Sequence, residues 1–312
     1  MRTIMKIITL TLNPAFDIHC YIENFAPFHE NLAKVTDREA GGKGVNISRA
    51  LCANGVENLA LVVLGDENAQ SFRQSLDSDG MSYREITVKG RIRENITIHT
   101  NGADETRISF AGFDTDVSLL EKTEDALSDV MDDGVFVTFT GRVPAGLPIA
   151  RVKEFLRRLQ DKGARIVIDS KSFSLDDLIE LKPWLIKPNE EEIGEYLGRS
   201  IASFDEVESA ARGLYEKGID NVMISLGARG ALLVCGDGVL VATPPRVEVL
   251  STIGAGDSSI GGFLAAAAQG LGSSEMLRTA VAYGTAACMT TGTKPPRAED
   301  VMMIFDKVIV ES

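Results

Sequence analysis

Short apolar runs rich in β-branched residues recur along the chain: Ile7 to Leu12, Leu59 to Leu64, Val135 to Phe139, Arg165 to Ile168, Trp184 to Ile186, Val222 to Ser225 and Ala231 to Val234. Their apolarity is continuous rather than alternating, which predicts strands buried on both faces. Amphipathic segments lie between several of them. The clearest runs from Ile149 to Gly163, where Val152, Phe155, Leu156 and Leu159 make one helical stripe that a glycine ends. Strand-helix-strand alternation of this kind predicts an α/β fold with a mainly parallel sheet flanked by helices. From Asn95 to Phe110 the pattern changes to strict alternation, with Ile96, Ile98 and Thr100 in step, a turn at Asn101-Gly102, then Thr106, Ile108 and Phe110. That reads as an exposed hairpin. Residues from about Asp17 to Arg38 lack helical periodicity and supply further strands for the same appendage, which is either a lid beside the active edge or an ordinary edge hairpin.

Charge and composition narrow the partners. The 312 residues carry 32 Lys+Arg against 45 Asp+Glu, a formal net charge of −13, with no basic run. Nucleic acid and anionic membranes are therefore not expected ligands. No stretch approaches the roughly 20 apolar residues of a membrane span, and Ile7 to Leu12 runs straight into Asn13-Pro14 without the features of a signal peptide. Cys20, Cys52, Cys235 and Cys288 are far apart and there are only 3 histidines, so neither a disulfide framework nor a zinc site is indicated. A reducing, cytoplasmic setting is expected.

Three glycine-bearing loops carry candidate chemistry. Thr252-Ile253-Gly254-Ala255-Gly256-Asp257 precedes a helical stripe of Ile260, Phe263, Leu264, Ala267, Ala268 and Leu271. Unpaired amides at such a helix start attract an anion, and Asp257 in the first turn either takes a proton from an attacking hydroxyl or simply caps the helix. Gly41-Gly42-Lys43-Gly44-Val45-Asn46 makes a second such approach to a helix that stops at Asn54-Gly55. Ser225-Leu226-Gly227-Ala228-Arg229-Gly230 is either a surface for a nucleotide or a plain turn between strands. In Lys187-Pro188-Asn189-Glu190-Glu191-Glu192, the pair Asn189 and Glu192 suits water around Mg²⁺, although acids in a first turn also complement the helix dipole alone. Other phosphate and nucleophile motifs fail. Ser259 stands where G-x-G-x-x-G needs glycine, no P-loop occurs, H-R-D and D-F-G are absent, and Ser258 lies in no G-x-S-x-G elbow.

Taken in order from Thr11-Leu12-Asn13-Pro14-Ala15-Phe16-Asp17 through these loops to Ser251–Asp257, the chain resembles the phosphosugar branch of the ribokinase-like (PfkB) carbohydrate kinases. The resemblance spans essentially residues 1–312. It implies a single α/β kinase domain, with lid segments near 17–38 and 90–112 and a homodimer formed through the lid. It further implies that Asp257 is the catalytic base, with Gly254, Ala255 and Gly256 donating amides to the transferring phosphoryl group. Asp17, Gly41, Gly42 and Asn46 would hold sugar hydroxyls. Arg93 and Lys43, with Arg107 as a further candidate, would hold the phosphate already on the sugar. Lys187, Ser225, Gly227, Gly230 and Thr252, with Gly254 and Gly256, would line an ATP site, and Asn189 and Glu192 would belong to the Mg²⁺ shell. Two departures stand out: Thr140-Gly141-Arg142-Val143-Pro144-Ala145-Gly146 replaces S-G-S-[LP]-P-x-G, and Leu32 follows Glu30-Asn31 with the nearest cation displaced to Lys34. Arg142 either binds phosphate or narrows the pocket. The expected acceptor is fructose 1-phosphate, with tagatose 6-phosphate and fructose 6-phosphate as alternatives and a catalytically silent phosphosugar-binding protein as the rival from another class.

Overall fold

The computed structural model describes residues 6–101 and 105–312; Gly102 of the expected turn lies outside them. In chain order the strands are β1 (Ile7–Thr11), β2 (Ala15–Tyr21), β3 (Lys34–Gly41), β4 (Leu59–Gly65), β5 (Tyr83–Val88), β6 (Arg93–His99) and β7 (Glu105–Ser109). They continue as β8 (Phe136–Thr140), β9 (Arg165–Asp169), β10 (Leu185–Ile186), β11 (Asn221–Ser225), β12 (Ala231–Cys235), β13 (Gly238–Thr243) and β14 (Ile309–Glu311). A 10-stranded sheet has the order β14-β13-β12-β11-β10-β9-β8-β1-β4-β5, and a 4-stranded sheet has the order β3-β2-β6-β7.

From β11 through β5 the large sheet is parallel, while β12, β13 and β14 extend one edge in antiparallel fashion, β12 among them although its apolar run Ala231 to Val234 is as continuous as those of the parallel strands. Every residue of β1, β4 and β8 is buried. β5, β13 and β14 escape the sequence pattern because they mix polar and exposed positions toward the sheet's edges. The chain runs outward on one side of β1 through β4 and β5, then returns to β8 on the other side. Strand order therefore reverses between β1 and β8, and in open α/β sheets the crevice at the carboxyl ends of such a switch point is where ligands bind.

Helices Lys43–Ala53, Ala255–Ala268 and Ser273–Cys288 supply most of the core on one face of the large sheet, where Ile47, Leu51, Ile260, Phe263, Leu264 and Leu277 are buried together. Their approach is close. A Cβ added at Gly262 would lie 2.6 Å from the Thr279 carbonyl and 2.8 Å from the Tyr283 ring. The stripe predicted to reach Leu271 stops earlier: Gly270 takes φ +75°, the Leu271 amide folds back to the Ala266 carbonyl at 3.2 Å, and Leu271 is exposed. On the opposite face, helix Ile149–Asp161 buries the expected Val152, Phe155, Leu156 and Leu159.

Segments on either side of β4 and β5 build the small sheet. β2 pairs with β3 antiparallel and with β6 in parallel, and β7 closes the edge. Thr293 donates a hydrogen bond to Glu39, and Lys294 lies 3.7 Å from Asp37, so β3 is tied to the loop that follows helix Ser273–Cys288.

Candidate active site

The helix Ala255–Ala268 starts at Gly254, whose φ of +79° lies in the left-handed region that favours glycine, and no side chain caps it. The Gly256 and Asp257 amides of its first turn are thus left for another acceptor. Thr252 contributes its carbonyl to the approach, accepting from the Ala255 amide at 3.4 Å. Asp257 sits in this first turn and is only 7% exposed. Its Oδ2 accepts a hydrogen bond of 2.9 Å from Asn46 Nδ2, which the start of helix Lys43–Ala53 brings alongside.

Two cations and a second acid complete this end of the crevice. Lys43 Nζ lies 2.9 Å from Asp169 Oδ2, and Lys187 Nζ lies 3.9 Å from the same atom. Lys187 is buried, and a Cβ on Gly256 would come within 3.1 Å of its ammonium, so glycine there lets a cation approach the helix start. Burial pushes the Asp257 carboxyl up to about 6; Asp169 adds to the rise, while Lys43, the Asn46 bond and Lys187 oppose it. A buried acid in this range is mostly ionised at neutral pH yet basic enough to take a proton. Asp169 behaves oppositely: burial works against its charge, but Lys187 and Lys43 outweigh that and hold it below the ordinary carboxylate range. Lys43 remains firmly protonated, because Asp169 and Asp257 more than offset its own burial.

The other end lies on the small sheet. Asp17 on β2 faces Asn95 on β6, and Asn95 Nδ2 donates to Asp17 Oδ1 at 2.8 Å. Arg107 on β7 reaches within 3.6 Å of the same oxygen, and Arg93 donates to Asn95 Oδ1 at 3.1 Å. Gly41 lies directly against Asp17; a Cβ there would sit 2.1 Å from Asp17 Oδ2. Arg93 is half-buried, with its Nε enclosed and unpartnered. Its guanidinium holds its proton less tightly than usual, first through burial and then through Arg142 and Arg107, against the pull of Asp17. Arg142 is exposed on the turn after β8, anchored where the Gly141 amide donates to the Asp169 carbonyl at 3.1 Å. The sequence candidates Arg93, Arg107 and Arg142 thus converge, whereas Lys43, grouped with Arg93 from sequence, stands at the Asp257 end.

The two remaining loops adjoin each other. Ser225 pairs with Asn189 in an isolated parallel bridge, and the Ser225 amide donates to the Pro188 carbonyl at 3.0 Å. Gly227 opens a single 3₁₀ turn and Gly230 closes it with φ +94°, so this loop is the connection between the antiparallel strands β11 and β12. Asn189 and Glu192 close a capping box on helix Glu190–Leu197: Asn189 Oδ1 accepts from the Glu192 amide at 2.8 Å and Glu192 Oε2 from the Asn189 amide at 3.0 Å. Glu192 Oε1 is left facing Lys171 at 3.7 Å. Asp169 and Asn95 were not among the sequence candidates. An acid closing the buried strand Arg165–Asp169 was the available signal for the first; Asn95 gives none until β2 and β6 pair.

Known proteins share this fold. The profile of the pfkB family carbohydrate kinases matches residues 12–300. The chain belongs to that family. It is accordingly a phosphotransferase with a hydroxyl acceptor. It is 34% identical over 285 residues to the 1-phosphofructokinase of Escherichia coli (strain K12), covering 90% of each chain. To the 1-phosphofructokinase of Bacillus subtilis (strain 168) it is 32% identical over 284 residues, covering 90% of this chain and 91% of that protein. Among solved structures, phosphofructokinase-2 from Escherichia coli in complex with fructose-6-phosphate superposes with a TM-score of 0.90 at 25% identity, over 97% of this chain and 99% of that one. Among the described residues no helix is long and apolar enough to cross a membrane.

Proposed function

We propose that this kinase transfers the γ-phosphoryl group of ATP to the free primary hydroxyl of fructose 1-phosphate, giving fructose 1,6-bisphosphate. The observation that carries the reading is the separation of two charged ends: Asp257 at an uncapped helix start, and Arg93, Arg107 and Arg142 around Asp17 on and beside the small sheet. A ketohexose phosphate has the same polarity, with a dianion at one end and a reactive hydroxyl at the other. Both relatives above are 1-phosphofructokinases, which favours the 1-phosphate. The likeness to a protein solved with fructose-6-phosphate favours that sugar as the second reading.

In this reading Asp17 and Asn46 orient the sugar hydroxyls, and Arg93 holds the resident phosphate with Arg142 and Arg107 near it. Asp257 takes the proton of the attacking hydroxyl, and the first-turn amides after Gly254 stabilise charge on the moving phosphoryl group. Lys43 and Lys187, both beside Asp169 Oδ2, offset that charge. The donor set fits a nucleotide and Mg²⁺: free helix-start amides, a buried ammonium beside them, and Asn189 and Glu192 at the neighbouring loop, which would hold a hydrated metal through its waters. Mg²⁺, when bound, neutralises charge on the ATP phosphates. Phe28, Leu32, Val35, Ile108 and Phe110 are exposed on the small sheet and the loop joining β2 to β3, and Phe28 holds φ +71°, costly for an aromatic residue. That surface suits a second copy of the chain; light scattering on Phe28→Ser/Leu32→Ser is expected to give monomers from a dimeric parent.

ADP release measured over fructose 1-phosphate, fructose 6-phosphate and tagatose 6-phosphate tests the reading. The highest kcat/KM is expected for fructose 1-phosphate. A preference for either 6-phosphate reassigns the acceptor, and no turnover with any of them overturns the proposal.

A further inference from the structure

Arg49 follows Asn46 by three positions on helix Lys43–Ala53 and is buried, 5% exposed. Its guanidinium is shared among three pieces of chain. Nε donates to Asp79 Oδ2 at 2.7 Å, one amino group to the Ala40 carbonyl at 2.6 Å, and the other to Asn46 Oδ1 at 3.4 Å. From the far side of the same amide, Asn46 Nδ2 donates to Asp257 Oδ2 at 2.9 Å. A continuous line of polar contacts therefore runs from Asp79, at the end of helix Ala69–Ser78, to the acid at the helix start.

An asparagine amide is nearly symmetric in shape and opposite in character at its two ends. Left alone, it serves either protonation state of a neighbouring acid: its NH₂ donates to the carboxylate, and after a half-turn its oxygen accepts from the protonated O–H. It then favours neither state. With a guanidinium fixed behind it, the half-turn sets NH₂ against an N–H donor and takes from a buried cation one of its three acceptors, which is costly in a water-poor interior. We propose that Arg49 is a positioning residue that locks the Asn46 amide in the sense that donates to Asp257, keeping the acid ready to accept the acceptor's proton. The same guanidinium clamps Ala40, next to Gly41 and Gly42, so the sugar's resting place and the acid are referred to one anchor. This inference rests on the reading of Asp257 as the base.

The other groups that face Asp257 are Lys43 from the same helix as Arg49, Asp169 from the end of β9 and Lys187 from the loop after β10; helix Ser273–Cys288 packs its Tyr283 against Gly262, farther along. None of these contacts involves Arg49, so its effect is separable.

The test is the acid limb of the kcat/KM profile against pH. Arg49→Met is expected to move that limb upward by about one pH unit, the scale of one hydrogen bond to a charged group. Asn46→Ala should move it similarly, and Arg49→Met added to Asn46→Ala should move it no further. Arg49→Met/Asp79→Asn, which removes both halves of the ion pair, gives the same reading if the single variant folds poorly. A lowered melting temperature with an unmoved limb, or shifts that add in the Asn46→Ala background, would overturn the positioning role. Asp257→Asn separates the two layers. An inactive Asp257→Asn with an unmoved Arg49→Met limb sinks only this inference, and a fully active Asp257→Asn sinks the base assignment with it.

Discussion

In the large sheet every residue of β4 is buried, while in the small sheet every residue of β7 is exposed. The contrast extends to chemistry. At the carboxyl ends of the large sheet's strands, acids and ammonium groups are paired, and their proton affinities are displaced, by burial at Asp257 and by opposite charges at Asp169 and Lys43. On the small sheet, Arg107 lies half in water, while Arg93 keeps an unpartnered Nε. Transfer needs a dry, preorganised field; recognition of a dianion needs cations that are available rather than already satisfied. The two sheets divide those demands between them.

Three substitutions probe that division. The largest effect is expected for Asp257→Asn, which should lower kcat by about 10³-fold, within the usual reach of a general base, with little change in binding. The same substitution should raise the melting temperature. A carboxyl near 6 in the fold against an ordinary 3.8 binds more protons folded than unfolded, so stability falls as pH rises from about 4 to about 6. At neutral pH the ionised group costs the fold about 3 kcal/mol, and an amide removes that cost, a gain of a few degrees in a thermal melt. Arg93→Ala comes next, with KM for the phosphosugar up about 10- to 100-fold and kcat held; a fall in kcat at unchanged KM would erase the proposed division of labour. Smallest is Lys43→Met. Its positive charge holds the Asp257 carboxyl down, so its loss should move the acid limb of the rate profile to higher pH, and a downward movement would place Lys43 elsewhere.

Much of this was legible from the amino acids, and the unreadable part has a common cause. Continuous apolar runs marked buried strands because both of their faces are covered, although the run Ala231 to Val234 pairs antiparallel, and the glycine-led stripe from Ile260 marked the helix bearing Asp257. Periodicity overran at Leu271, where backbone geometry at Gly270 ends the helix before the apolar pattern does. Asn189 and Glu192 were ambiguous from spacing, since a capping box and a hydrated metal site favour the same residues; the cap is directly visible. Asp169, Asn95 and Arg49 acquire their places only through partners 126, 78 and 30 residues away. Contacts formed at such separation leave no local trace in the residues that make them.

The parallel register of β2 and β6 has a consequence for how the protein is born. It joins stretches 78 residues apart, with β4, β5 and the helix Ala69–Ser78 between them. The large sheet closes a longer excursion, pairing Ile7 with Phe136, so separation alone does not order assembly; the small sheet, whose strand β7 is exposed throughout, gains less burial on pairing, so the sugar's binding surface is expected to assemble last as the newly made polypeptide matures. The same late-formed surface has most to gain from its ligand, whose arrival should protect it from opening and from proteases more than it protects the rest of the molecule.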